Sequence, residues 1–137
     1  MAFDPVTDYP LGTRRPDLVM TPSGLTLDDV TLAGARTGSL APDDTRATAA
    51  TLALQAEVAR AAGRVQLAEG IERAAELTRV PDDELLEIYT ALRPGRSSAH
   101  DLEVWAERLE ELGAVHNAAF VREAAEAYRA RGLTTDG

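Results

Sequence analysis

Cysteine is absent from the chain, which excludes disulfides and thiolate metal sites and fits a reducing compartment. Aromatic residues are scarce at 4%, so the interior must be built from Leu, Val, Ile and Ala. Small, Ala-rich helices pack closely but bury little area each, and a partner surface is expected to supply part of the stability. No apolar run approaches the ~20 residues that span a bilayer, and the N-terminus lacks a charged segment followed by an apolar core; the chain reads as cytosolic. Basic residues are outnumbered, 14 Lys+Arg against 23 Asp+Glu for a net charge of −9, with no local block of Lys or Arg. That balance repels phosphates and anionic lipid, so nucleic acid and membranes are not expected partners.

The groups that usually carry chemistry are equally thin. The two histidines, His100 and His116, are not four residues apart and form no HExxH pattern, so no zinc site is expected. No phosphate-cradling GxGxxG or GxxxxGK[ST] loop occurs. Carboxylates are many but distributed. Glu107, Glu110 and Glu111 read as one solvated acidic edge, and Asp82, Asp83, Glu84 and Glu87 as another. Tyr89, Tyr128 and Trp105 fall on apolar stripes and read as core residues whose polar tips reach a partner group. Asn117 reads as a surface residue or as a helix cap shifted by a turn. No catalytic, cofactor-binding or metal-binding residue is expected in this chain.

What is present is helical periodicity in a chain whose length suits one domain. Residues 1–27 show no helical or strand period and carry Pro5, Pro10, Pro16 and Pro22, so they read as an extended arm. A short helix follows from about Thr31 to Arg36, with Gly38 as its stop. From Pro42 to Thr78 the pattern is helical, with Leu52, Ala56 and Ala59 on one face, then Leu67, Ala68, Ile71, Ala75 and Thr78. Gly63 favours a break near Gly63–Arg64 over a single kinked helix, and Gly70 suggests close approach of another backbone. Leu102, Trp105, Leu109 and Leu112 form a stripe closed by Gly113. Ala118, Val121, Ala125 and Tyr128 form the last, closed by Gly132 before a tail expected to fray. The reading is an all-α chain of five to six helices: an arm (1–27), a helical body (28–131) and a frayed tail (132–137).

The stretch Pro81–Asp101, PDDELLEIYTALRPGRSSAHD, organises this body. Asp82 and Asp83 suit a helix start, Leu85, Ile88, Tyr89 and Leu92 share a face, and Pro94 stops the helix. Ser98 and Asp101 form a capping box that starts another. Arg93 and Arg96 flank the break. A solvated surface turn and a docking corner, in which each guanidinium takes a carboxylate, both fit these residues.

The string as a whole resembles the small (gamma) subunit of adenosylcobalamin-dependent diol and glycerol dehydratases. The resemblance is carried by Asp8-Tyr9-Pro10-Leu11 with Thr13, Arg14 and Pro16; Thr21-Pro22-Ser23-Gly24; LALQA at Leu52–Ala56; RAAEL at Arg73–Leu77; IYTALRPGRSS at Ile88–Ser98; and NAAFVREAAEAY at Asn117–Tyr128. Some such subunits carry an N-terminal extension linked with bacterial microcompartments. Here seven residues precede Asp8, and Pro5 argues against an amphipathic targeting helix. Gly63, Gly70 and Gly95 stand where bulkier residues are usual and suggest local helix breaks.

The resemblance implies a hetero-oligomer in which a large (alpha) subunit holds the substrate in a (β/α)8 barrel. Cobalamin lies between the large and medium (beta) subunits, and an adenosyl radical begins the conversion of a 1,2-diol or glycerol to an aldehyde. On this reading the chain is noncatalytic, binds no cofactor itself and braces the large subunit in a bacterial cytoplasm, with any microcompartment association supplied by partner subunits. Tyr9, Pro10, Leu11, Arg14, Arg93 and Arg96 are the candidate partner contacts. An independent helical adaptor or regulatory domain is the alternative, and an autonomous enzyme a distant third.

Overall fold

The computed structural model of the chain describes residues 2–137. Among the described residues there are seven α-helices: α1 (Leu11–Arg14), α2 (Leu32–Thr37), α3 (Ala49–Ala61), α4 (Val65–Leu77), α5 (Asp82–Ala91), α6 (Ala99–Glu111) and α7 (Val115–Ala130). Among the described residues the one strand-like pairing is an isolated bridge between Met20 and Thr26, so the class is all-α. The helix beyond the expected five to six is α1, a single turn too short to show a period. Read from its length as one domain, the chain divides into two compact units, one ending at Ala75 and the other running Glu76–Gly137. Each has its own buried cluster.

The first unit begins with tight turns where an extended arm was expected. The Asp8 N–H bonds the Asp4 carbonyl at 2.9 Å, α1 follows Pro10, and Pro16–Leu18 forms a 3-10 turn. Arg15 holds this path by pairing with Asp8 and Asp17, both at 3.0 Å. Short turns use proline and Asx chemistry rather than periodicity, which is why no period announced them. Thr21-Pro22-Ser23-Gly24 closes with Gly24 at φ 88°. It is fastened by Asp44, a buried carboxylate that accepts the Ser23 N–H at 3.2 Å and the Ala41 N–H at 3.0 Å. Hydrogen bonds from the Ser23 and Thr21 hydroxyls, then from these N–H groups, outweigh desolvation and lower the Asp44 carboxyl to about 2.

Thr48 caps α3 by accepting the Thr51 N–H at 3.2 Å, so that helix starts at Ala49 and Pro42–Thr45 forms a separate 3-10 turn. The break falls at Gly63, whose φ of 74° is left-handed, making α3 and α4 two helices. Ala56 and Ala59 of α3 pack with Ala68 and Ile71 of α4. Arg60 joins Glu72 across the pair at 2.6 Å. Two expectations for α4 do not hold: Leu67 is 49% exposed, and a Cβ on Gly70 would meet no atom within 4 Å, so no other backbone approaches there. Thr78 is likewise exposed, lying past the end of α4.

The second unit is built on the hairpin of α6 and α7, joined through Gly113 at φ 77°. Leu102, Ala106 and Leu109 on α6 meet Ala118, Val121 and Ala125 on α7, with Val80, Ile88 and Ala114 completing the cluster. Spacings of three and four put each set on one face, and the alanines let the helices approach closely. Tyr128 behaves as the sequence suggested, packing on the core while its hydroxyl donates to the Leu92 carbonyl at 2.6 Å. Trp105 packs partly buried against the same cluster. Tyr89 does not: it is 59% exposed. It stands about 100° around the helix from Ile88, outside the sector in which Leu85, Ile88 and Leu92 meet the core.

The acidic edges are only partly solvated. Arg108 forks onto Glu84 at 2.8 and 2.9 Å, and Arg122 bridges Glu103 and Glu110. Solvent screens such surface pairs, so they add little to what the buried cluster holds.

The end of the chain is tied down rather than frayed. Gly95 donates its N–H to the Leu133 carbonyl at 2.7 Å, Thr135 donates to the Ser97 carbonyl at 3.0 Å, and Thr134 is buried. Backbone pairing of this kind is invisible to side-chain patterns. Truncation after Gly132 is expected to speed amide exchange at Gly95 at least ~10-fold while the far-UV signal of the helices is retained; hydrogen exchange resolved by residue would measure it.

Candidate docking surfaces

The corner after α5 is shaped by its backbone. Helix α5 ends at Ala91, with Leu92 as its C-cap, short of the Pro94 stop by the crowding that proline imposes on preceding residues. The Ser97 hydroxyl donates to the Ala91 carbonyl at 2.9 Å, satisfying one acceptor the helix end leaves open. The predicted capping box is present: Ser98 Oγ accepts the Asp101 N–H at 3.0 Å, while Asp101 accepts the Ser98 N–H at 2.9 Å. The Ser98 hydroxyl first, then its N–H, lower the Asp101 carboxyl.

Arg93 and Arg96 are both exposed, and neither guanidinium forms an ion pair or caps a carbonyl among the described residues. Beside Arg96 lies a cleft of about 500 Å³. Leu86, Thr90 and Ala91 of α5, Trp105 of α6, and Ser97 line it with Arg96, and Glu87 adds a carboxylate.

The arm candidates sit in the first unit. Tyr9 is 58% exposed and lines a cleft of about 480 Å³ with Gln55, Val58 and Ala59 of α3 and Leu67 and Ile71 of α4. Pro10 and Arg14 are exposed; the ion pairs on this stretch are made by Arg15 instead. Leu11 is 5% exposed, so it anchors the arm inside the unit rather than offering a contact. An apolar side chain at the head of a one-turn helix has no route to solvent once that turn is packed.

The residue that sequence reasoning missed is Glu76, in the last turn of α4 and 9% exposed. Its carboxylate accepts the backbone N–H groups of His116 at 3.1 Å and Asn117 at 3.0 Å, the first turn of α7. It also accepts the Asn117 amide at 2.8 Å and lies 2.5 Å from His116 Nδ1. Helix α7 has no side-chain cap at its own N-cap, Ala114, and Glu76 performs that work from a distance. Burial pushes this carboxyl up, but the N–H and ring bonds from Asn117 and His116 outweigh it and hold it below the usual range. Asn117 is therefore a buried network member, neither surface residue nor cap. The available signal was a missing cap before NAAFVREAAEAY. For the cleft it was Leu86, an apolar residue off the buried stripe of α5.

Among the described residues no three His, Asp or Glu side chains gather as a metal site would require, and no helix is long and apolar enough to cross a membrane. Comparison with known proteins adds what geometry does not. The family model described as dehydratase small subunit matches residues 5–134. The propanediol dehydratase small subunit of Citrobacter freundii is 52% identical over 124 residues, 90% of this chain and 72% of the relative. That of Salmonella typhimurium is 51% identical over the same shares.

Proposed function

Because the chain belongs to the dehydratase small-subunit family, we propose that it is the noncatalytic small subunit of an adenosylcobalamin-dependent dehydratase. That enzyme converts propane-1,2-diol, or a related vicinal diol, to an aldehyde in a bacterial cytoplasm. The observation that carries this reading is identity above one half with two propanediol dehydratase small subunits across 90% of the chain. The cofactor, held by the large and medium subunits, supplies the radical that begins loss of water. His116 is committed to Glu76 and His100 lies exposed at the start of α6.

This chain's own residues would work by bracing the large subunit. The exposed arm residues Tyr9, Pro10 and Arg14 and the unpaired Arg93 and Arg96 are its contacts. The test is coexpression with the large and medium subunits, with and without this chain. Loss of a stable complex and of cobalamin-dependent diol dehydration on omission is the expected result. A folded monomer indifferent to those subunits would instead favour an independent adaptor. Replacing Arg93 and Arg96 together by alanine is expected to weaken copurification with the large subunit about 10-fold or more, and unchanged assembly at elevated salt would remove the corner from the interface.

A further inference from the structure

The two units carry one helical hairpin twice. Helix α6 lies fifty residues after α3, Ala99–Glu111 against Ala49–Ala61, and α7 begins at Val115 as α4 begins at Val65. Each first helix starts from a hydroxyl cap: Thr48 accepts the Thr51 N–H at 3.2 Å, and Ser98 accepts the Asp101 N–H at 3.0 Å. Each turn passes through a left-handed glycine, Gly63 at φ 74° and Gly113 at φ 77°. Each closes with the same backbone bond, the Arg64 N–H to the Ala59 carbonyl at 2.9 Å and the Ala114 N–H to the Leu109 carbonyl at 2.8 Å. The buried faces match too, with Ala56 and Ala68 in the first cluster where Ala106 and Ala118 stand in the second.

Faces this similar do not tell a helix which partner is its own. Small apolar residues pack on either, and misassembly between like units is a characteristic failure of chains built from repeats. The charges differ. Arg60 on α3 meets Glu72 on α4 at 2.6 Å, and at the equivalent places Glu110 on α6 meets Arg122 on α7 at 2.5 Å. The pair is kept with its polarity reversed. Pairing α3 with α7 in the same register would set Arg60 against Arg122, and pairing α6 with α4 would set Glu110 against Glu72. Like charges repel at places where the correct pairing attracts.

We propose that these reversed ion pairs act as a pairing code, which keeps the two hairpins from exchanging helices as the chain folds. The code works through the difference between right and wrong partners, so it operates even though each pair adds little to the stability of the finished unit. It goes beyond the assembly proposed above and does not depend on it.

In the test, variants of the full chain are refolded from urea at one concentration, and the share regaining the native form is measured by size-exclusion chromatography and the native amide spectrum. Arg60→Glu with Glu72→Arg keeps a pair in the first hairpin but gives it the polarity of the second, so both wrong pairings become attractive. At least ~3-fold more chain is expected in misassembled species than for wild type. Arg60→Ala with Glu72→Ala leaves the wrong pairings neutral and is expected to fall in between. A wild-type yield from the reversed variant overturns the proposal. So does a greater loss from the alanine variant than from the reversed one, the order expected if the pair merely holds its own hairpin. Should the reversed variant fail to melt as wild type does, adding Glu110→Arg, Arg122→Glu and Glu103→Gln restores opposite polarities; Glu103 is changed because it too pairs with Arg122. Recovery of the wild-type yield is then expected, and continued loss overturns the code.

Discussion

Glu76→Ala is expected to lower the stability of the Glu76–Gly137 unit by about 3 kcal/mol, since buried donors left unmatched cost roughly 1–3 kcal/mol each. Its removal strips acceptors from two backbone N–H groups and the Asn117 amide at once. Urea unfolding followed by Trp105 fluorescence would measure it. The effect depends on pH in a direction that the geometry fixes. Hydrogen bonds from Asn117 and His116, working against burial, hold the folded-state carboxyl below its ordinary value. A depressed pKa contributes stability that is present in full above the unfolded value, near ~4.3 for glutamate. That contribution is lost as pH falls through the lower folded value. The informative quantity is the difference between wild type and Glu76→Gln, which removes the charge and keeps an acceptor oxygen facing His116 and Asn117. The gap is expected to be wide at pH 7 and to narrow at pH 3, and a gap independent of pH would contradict the role given to the charge.

The second large effect lies in the α6–α7 hairpin. Leu102→Ala and Leu109→Ala each remove a side chain that is 1% exposed, and each is expected to cost about 3 kcal/mol in lost burial and residual cavity. Ala106, Ala118 and Ala125 in the same cluster have no longer rotamers with which to fill the gap. Leu86→Ala serves as the internal contrast. With 68% of its surface already in water, it is expected to change stability by less than about 0.5 kcal/mol. Comparable losses at Leu86 and Leu109 would mean that α5 is held by its outer face.

Periodicity located the helices because burial of one face leaves a mark every three or four residues. It found the stripes of α6 and α7 and the break at Gly63, and the Ser98–Asp101 capping box was visible because both partners are local. What escaped was non-local. Glu76 caps a helix that begins some forty residues later (|i−j| = 41 to Asn117), and Asp44 fastens a turn with |i−j| = 21 to Ser23. A carboxylate in a sequence does not declare which backbone donors it will meet. Tyr89 was misplaced for a related reason: a helical stripe has width, and the sequence does not say which margin its neighbours cover. Of the candidate contacts, Tyr9, Pro10, Arg14, Arg93 and Arg96 are exposed, whereas Leu11 is buried.

The pairing of the chain's end with the corner has a practical side. Because Leu133 and Thr135 are bonded to Gly95 and Ser97, a purification tag fused after Gly137 would emerge from the segment clasping the loop that carries Arg93 and Arg96. Such a tag would crowd that loop and could be misread as a subunit that fails to assemble. Binding measurements on this protein therefore call for a cleavable handle and a comparison made after its removal.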